Sequence, residues 1–264
     1  MIPAKTGTES TFTMKSNGRK AIGIVGGVGP YAGLDLNQKI FASTTTRREQ
    51  DHFEVYLLSC PSLIGDRTEY LLDPAGHVNP GIAIYEVIRK LSLIGAEVIG
   101  VPCNTSHAAP ILDLVLQKID EDSLGITFVN MIEETVRHIV TTYPGIRRVG
   151  LLATRGSYES GVYTATFKAH SSIEVLNPPM EGQESVHAAI YDPQYGIKNH
   201  PNPIAPEAQA ALRSAAEDLI AEGAEAIIMG CTEIPLAMRP VELSVPRIDA
   251  TLVLARALIA RAEA

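Results

Sequence analysis

The chain has 264 residues, 45% of them hydrophobic and 20% charged, which suits one large or two small domains and excludes a disordered chain. With 30 acidic and 22 basic side chains the net charge is −8 and the isoelectric point near 5.4, which argues against a general nucleic-acid or anionic-membrane binder. Aromatic residues make up 5% with no Trp, so stacking surfaces for single strands are scarce, and three cysteines do not make a disulfide framework.

Residues 1–19 are polar and Thr/Ser-rich, with no apolar run before Ala21. They read as a disordered tail in which Met14 is an alternative start. With no signal-peptide stretch and no later membrane span, the expected location is the cytoplasm. From Ala21 the chain alternates short apolar runs with helical spacing. The runs at 21–25, 53–58, 97–101, 125–129, 148–152, 173–176 and 226–229 predict strands, because they are short, β-branched and mostly bounded by Gly or Pro. Segments 80–94, 106–117, 131–142, 157–170 and 206–222 predict helices. This alternation implies an α/β fold with parallel sheets flanked by helices.

The chain also repeats itself. Gly95-Ala96-Glu97 and Gly223-Ala224-Glu225 each end a helix and enter a strand that runs on to Cys103 or Cys231, an offset of 128. Val149-Gly150-Leu151 before Tyr158 matches Ile22-Gly23-Ile24 before Tyr31 at an offset of 127. Two pseudo-symmetric α/β lobes follow, taken as 20–112 plus 235–264 and as 113–234. Ligands of such sheets bind beyond the carboxyl ends of the strands, so facing lobes put the two cysteines on opposite walls of one cleft.

Cys103, in Pro102-Cys103-Asn104-Thr105-Ser106-His107, and Cys231, in Gly230-Cys231-Thr232-Glu233-Ile234-Pro235-Leu236, each sit where a strand ends and a helix is predicted. A helix N-terminus favours thiolate and lowers a thiol's pKa. Cys60 has no repeat partner and reads as a small buried hydrophobe. Two thiols across a cleft suit inversion at carbon: one removes a proton from one face while the other delivers a proton to the opposite face.

These two cysteine motifs together resemble the aspartate/glutamate racemase family, especially its aspartate racemase branch. Ile24-Val25-Gly26-Gly27-Val28-Gly29-Pro30 resembles the family's first glycine turn, and Asp66-Arg67-Thr68 and Leu151-Leu152-Ala153-Thr154 match further blocks. The resemblance spans about residues 20 to 260. It implies a cofactor-independent racemase of two pseudo-symmetric lobes, a homodimer, with Cys103 and Cys231 as paired acid/base groups and a small acidic amino acid as substrate. Glutamate racemases proper usually carry His after the second Cys-Thr. Glu233 stands there, which favours an aspartate-type or broad-specificity enzyme.

A dicarboxylic amino acid needs fixed cations and donors. Arg67 suits bidentate carboxylate binding, and the resemblance supports that role. Lys198 resembles a family lysine that meets a substrate carboxylate. Asn104, Thr105 and Thr232, next to the thiols, are expected to hold the α-carboxylate, although the threonines also suit helix capping. Thr154 and Ser157 occupy the second-lobe turn equivalent to Gly27–Gly29 and could add donors from the cleft floor. His107 and Glu233 are expected to act behind these groups, His107 more by packing or capping than by chemistry.

Gly27-Val28-Gly29-Pro30-Tyr31-Ala32 also fits a dinucleotide fingerprint. The following strand, however, ends in Ser59-Cys60-Pro61 with no acidic residue for a ribose, and Pro30 removes a backbone donor. No P-loop is present and the seven His are scattered, so neither a nucleotide nor a metal is expected, and Gly27 is read as a close-approach residue of the cleft. Other two-cysteine isomerases of the superfamily, such as hydantoin racemase, remain alternatives. So does a two-lobed amino-acid binding protein, disfavoured because two symmetric thiols have no purpose in binding alone.

Overall fold

A computed structural model describes residues 18–264. Residues 1–17 of the expected tail lie outside the described residues. Arg19, assigned to that tail, is held instead: its guanidinium donates to Asp51 O at 2.8 Å and lies 4.6 Å over the Phe53 ring.

Eight strands build two parallel sheets among the described residues. β1 (Ile22–Gly26), β2 (Val55–Ser59), β3 (Val98–Gly100) and β4 (Thr127–Val129) lie in the order β2-β1-β3-β4. β5 (Arg148–Ala153), β6 (Glu174–Leu176), β7 (Ile227–Gly230) and β8 (Arg247–Asp249) repeat it as β6-β5-β7-β8. Helices cover both faces, so β1 and β7 are buried throughout and read as unbroken apolar runs. The seven predicted strands all form, with ends shifted by a residue or two.

The internal repeat is a working piece of backbone. Gly95 and Gly223 take φ of +101° and +99°, and each is followed by an Ala whose N–H reaches back to Leu91 O or Leu219 O at 2.9 Å. Only glycine adopts this left-handed end without strain, so both helices stop at the same point. The glutamates that follow do the same work. Glu97 Oε2 accepts from Ala21 N at 3.3 Å, and Glu225 Oε2 accepts from Arg148 N at 3.0 Å.

The lobe limits at 112 and 235 do not coincide with the sheets. Residues 127–129 pair as β4 in the first sheet, and residues 247–249 pair as β8 in the second. The helix after each of these strands then crosses over. α5 (Met131–Thr142) sends Ile132, Val136 and Ile139 into the core around β5, with Tyr163 and Phe167. The C-terminal helix (Ala250–Glu263) sends Leu254 and Leu258 into the core around β1, with Leu36 and Val98.

The remaining helices are α1 (Pro30–Ser43), α2 (Arg67–Leu72), α3 (Pro80–Leu93), α4 (Ala109–Glu121), α6 (Arg155–Ser160), α7 (Val162–His170), α8 (Met180–Tyr191), α9 (Pro206–Ala221) and α10 (Ile234–Met238); the C-terminal helix is α11. The helix predicted at 157–170 is two helices, because Gly161 enters the left-handed region at φ +60° and ends α6. The lobes are also tied by an ion pair: Arg239, just after α10, meets buried Asp35 of α1 at 3.0 Å.

Candidate active site

Neither cysteine opens a long helix. Cys103 is followed by a single 3-10 turn, Thr105–His107, and α4 starts only at Ala109. Cys231 precedes the five-residue α10, which starts at Ile234. The expected dipole support is therefore weak, since the effect is confined to the ends of well-formed helices. For Cys231 the expected direction is reversed. Burial pushes its thiol well up, Glu233 pushes it further, and Lys198 only partly opposes them.

The Cys103 segment is held from behind by His107. The backbone N–H of Met131 donates to His107 Nε2 at 3.2 Å, so that nitrogen is the bare one and Nδ1–H must donate to Cys103 O, 2.8 Å away. Burial pushes the imidazole down to about 4, which keeps it neutral. His107 thus clamps the Cys103 main chain to the start of α5.

In front of Cys103 stands Arg67, the first residue of α2, buried despite its charge. Its guanidinium donates to Val28 O and, at 3.0 Å, to Gly65 O. Burial works against the cation, but Cys103 and Asp66 beside it outweigh burial and raise its pKa. Gly27, at φ +87°, opens the turn that supplies Val28. A Cβ there would stand 2.6 Å from the Cys60 carbonyl carbon and from Pro61 N, so the close approach requires glycine.

Around Cys231 the polarity is inverted. Its thiol donates to Glu233 Oε2 at 2.9 Å, and Thr232 Oγ1 donates to the same oxygen at 3.1 Å. Lys198 Nζ donates to Tyr191 OH at 2.9 Å, and that hydroxyl donates across the cleft to Asp66 Oδ2 at 3.1 Å. Burial opposes the Lys198 charge, but Glu233, Tyr191 and Cys231 nearby raise its pKa. Asp66 meanwhile caps α2 with its other oxygen, and despite burial Lys198 and Arg67 hold its carboxyl low.

A narrow, largely enclosed cavity lies between these groups. Cys103, Asn104, Thr105 and Arg67 line it from one side, and Cys231, Thr232, Glu233, Thr154 and Lys198 from the other. Val28 completes the wall together with Tyr191, a side chain that sequence reasoning missed. Its only sequence signal is that it stands seven positions before Lys198. Gly27 lines an adjoining recess that shares Val28, Arg67, Lys198 and Glu233 with the cavity. Neither Ser157 nor His107 is on the cavity wall. Thr105 Oγ1 meets Ser157 Oγ at 2.9 Å and Thr154 Oγ1 at 3.1 Å, a hydroxyl cluster that joins the lobes. Among the described residues no cluster of His, Cys, Asp and Glu is gathered for a metal, and no helix is long and apolar enough to cross a membrane.

The family model for Asp/Glu/hydantoin racemase matches residues 25–258, nearly the whole described chain. The chain belongs to that family. This racemase, an isomerase, is 26% identical over 249 residues to the broad specificity amino-acid racemase RacX of Bacillus subtilis (strain 168), covering 90% of this chain and 96% of the relative. Its fold is similar to that of the Picrophilus torridus aspartate racemase, with a TM-score of 0.72, 27% identity and coverage of 92% of this chain and 94% of the other. An aspartate racemase homologue from Pyrococcus horikoshii OT3 gives 0.69 and 25%, covering 93% of this chain and 100% of the other. The α/β architecture of two parallel sheets expected from the sequence is the one these racemases share.

Proposed function

We propose that this racemase interconverts the L and D forms of aspartate, glutamate or both, with Cys103 and Cys231 as paired acid/base groups and without a cofactor. The observation that carries the reading is that both thiols line one small enclosed cavity from opposite lobes, in opposite electrostatic settings.

In this reading the α-carboxylate lies against Asn104, Thr105 and Thr232, and the distal carboxylate meets Arg67 and Lys198. One cysteine, as thiolate, takes the α-proton and becomes a thiol. The donors around the α-carboxylate stabilise the charge that builds there. The other cysteine, as thiol, returns a proton to the opposite face and becomes a thiolate. No proton is gained or lost overall, and the reverse reaction exchanges the two states. When Cys231 must start as thiolate, Glu233 is placed to receive its proton, leaving one negative charge near Lys198 instead of two. The two cations favour a dicarboxylate over the neutral ring of a hydantoin. The cytoplasmic location expected from the sequence and the homodimer implied by the resemblance belong to the same proposal; sedimentation would test the dimer.

The test is to incubate the purified protein, reduced, with L- or D-aspartate and L- or D-glutamate in D2O. Inversion with α-deuterium uptake is expected for at least one pair. No inversion and no exchange with either pair would overturn the substrate assignment.

A further inference from the structure

The cavity wall holds two buried donors with no hydrogen-bond partner, Arg67 Nε and Asn104 Nδ2. Asn104 is buried, its Nδ2 has no hydrogen-bond partner, and its Oδ1 accepts from Tyr163 OH at 2.6 Å. A buried amide donor left unpaired is destabilising, so its position on the wall of a ligand cavity marks a place for an acceptor. The partner of the other end is unusual. Tyr163 lies on α7 in the second lobe, fully buried among Ile132, Val149 and Phe167, and does not itself line the cavity. Its hydroxyl, with the buried Thr135 side chain beside it, reaches a residue of the other lobe. Burial raises the phenol's pKa, which keeps the proton available to donate.

An amide can be turned by half a rotation with little change in shape, which exchanges donor for acceptor. In the turned orientation Asn104 would present an oxygen to the substrate's α-carboxylate. We propose that Tyr163 is a positioning residue: its hydroxyl, donated across the lobes to Asn104 Oδ1, holds the amide so that Nδ2 faces the cavity as a donor to the α-carboxylate. This rests on the amino-acid racemase reading above. Because every amino acid carries an α-carboxylate, the contribution is the same for aspartate and glutamate. It also makes the donor complete only when the two lobes are together.

The test is a cycle of Tyr163→Phe, Asn104→Ala and the double variant, with KM and kcat for both amino acids and a thermal unfolding midpoint for each protein. Tyr163→Phe is expected to raise KM about tenfold, equally for both substrates, with a smaller change in kcat. In the Asn104→Ala background the same change should add nothing to KM, because the group it positions is gone. A Tyr163 that only packs the core would lower the midpoint, leave KM alone and act independently of Asn104; either outcome overturns the proposal. If Tyr163→Phe does not fold, wild-type protein labelled with ¹⁵N is titrated with succinate, and the Asn104 side-chain amide, identified by its loss in Asn104→Ala, should shift. No shift would sink the proposal. Wild-type protein inert toward both amino acids overturns the racemase substrate reading and the role of Asn104 with it, whereas an active wild type with unchanged Tyr163→Phe overturns the positioning alone.

Discussion

The Cys231 thiol donates its hydrogen bond to Glu233 Oε2 over 2.9 Å, inside the protein and away from bulk water. Cys103 has a guanidinium beside it instead, that of Arg67. A pseudo-symmetric backbone thus carries an asymmetric pair of thiols, one next to a cation and one next to a carboxylate. Ionising Cys231 beside a charged Glu233 would place two negative charges together at low dielectric, which is why the thiol is pushed up.

Replacing Glu233 by Gln removes the proton acceptor and the charge together. Turnover is expected to fall by about 100-fold in kcat/KM. The loss must be equal in both directions, because enantiomers have the same free energy. The sign of the pH effect is separate. With the carboxylate gone, the Cys231 pKa falls, so its limb of the pH–rate profile moves to lower pH. A limb that stays where the wild type has it would show that Glu233 and Cys231 are not coupled.

The cysteines divide unequally. Cys103→Ser and Cys231→Ser are each expected to lower kcat/KM by about 100- to 10,000-fold, since a serine hydroxyl is a far weaker acid. Cys60 is half-buried, outside the cavity and unpaired. Cys60→Ser should stay within about twofold of wild type. Near-normal racemisation by either of the first two variants would refute the two-thiol scheme.

Much of this was legible in the sequence, and the failures have definite causes. The Gly-Ala-Glu repeat survives as paired left-handed glycines and paired capping glutamates, because backbone geometry of that kind must be written locally. β8 was missed because Arg247–Asp249 offers one apolar residue between two charges. The two sheets exchange helices, α5 and α11 each leaving the sheet they follow to pack on the other, and no local pattern records that choice. Most of the expected site residues line the cavity because they flank the cysteines or sit at strand ends. Tyr191 and Tyr163 were missed because each reaches the site from a helix of the second lobe, through a contact that only folding makes.

Arg67 and Lys198 separate binding from architecture. Arg67→Lys offers one ammonium where the guanidinium serves both Val28 O and Gly65 O, and it is expected to destabilise the protein by about 1–3 kcal/mol as well as raise KM. Lys198→Met leaves Glu233 without its nearby cation. KM for both acidic amino acids should rise about tenfold or more. Lys198 opposes the upward push on Cys231, so its loss should move the Cys231 limb to higher pH, opposite to Glu233→Gln. Limbs moving the same way in the two variants would contradict the charge arrangement around Cys231.

His107 makes the last prediction, on stability. Its pKa is pushed from 6.5 down to about 4 by burial, although the Cys103 carbonyl partly resists. Between those values the unfolded chain binds a proton that the folded protein refuses. Stability from this residue is therefore complete above about pH 6.5 and is lost as the pH falls toward 4. A fall from 6.5 to about 4 corresponds to roughly 3 kcal/mol. His107→Asn keeps a donor and an acceptor but cannot titrate. Urea unfolding at pH 7 and pH 4 should show the wild type losing about 3 kcal/mol more than the variant on acidification. Equal losses would mean that His107 is protonated in the folded protein, and the neutral clamp between Cys103 and α5 would have to be abandoned.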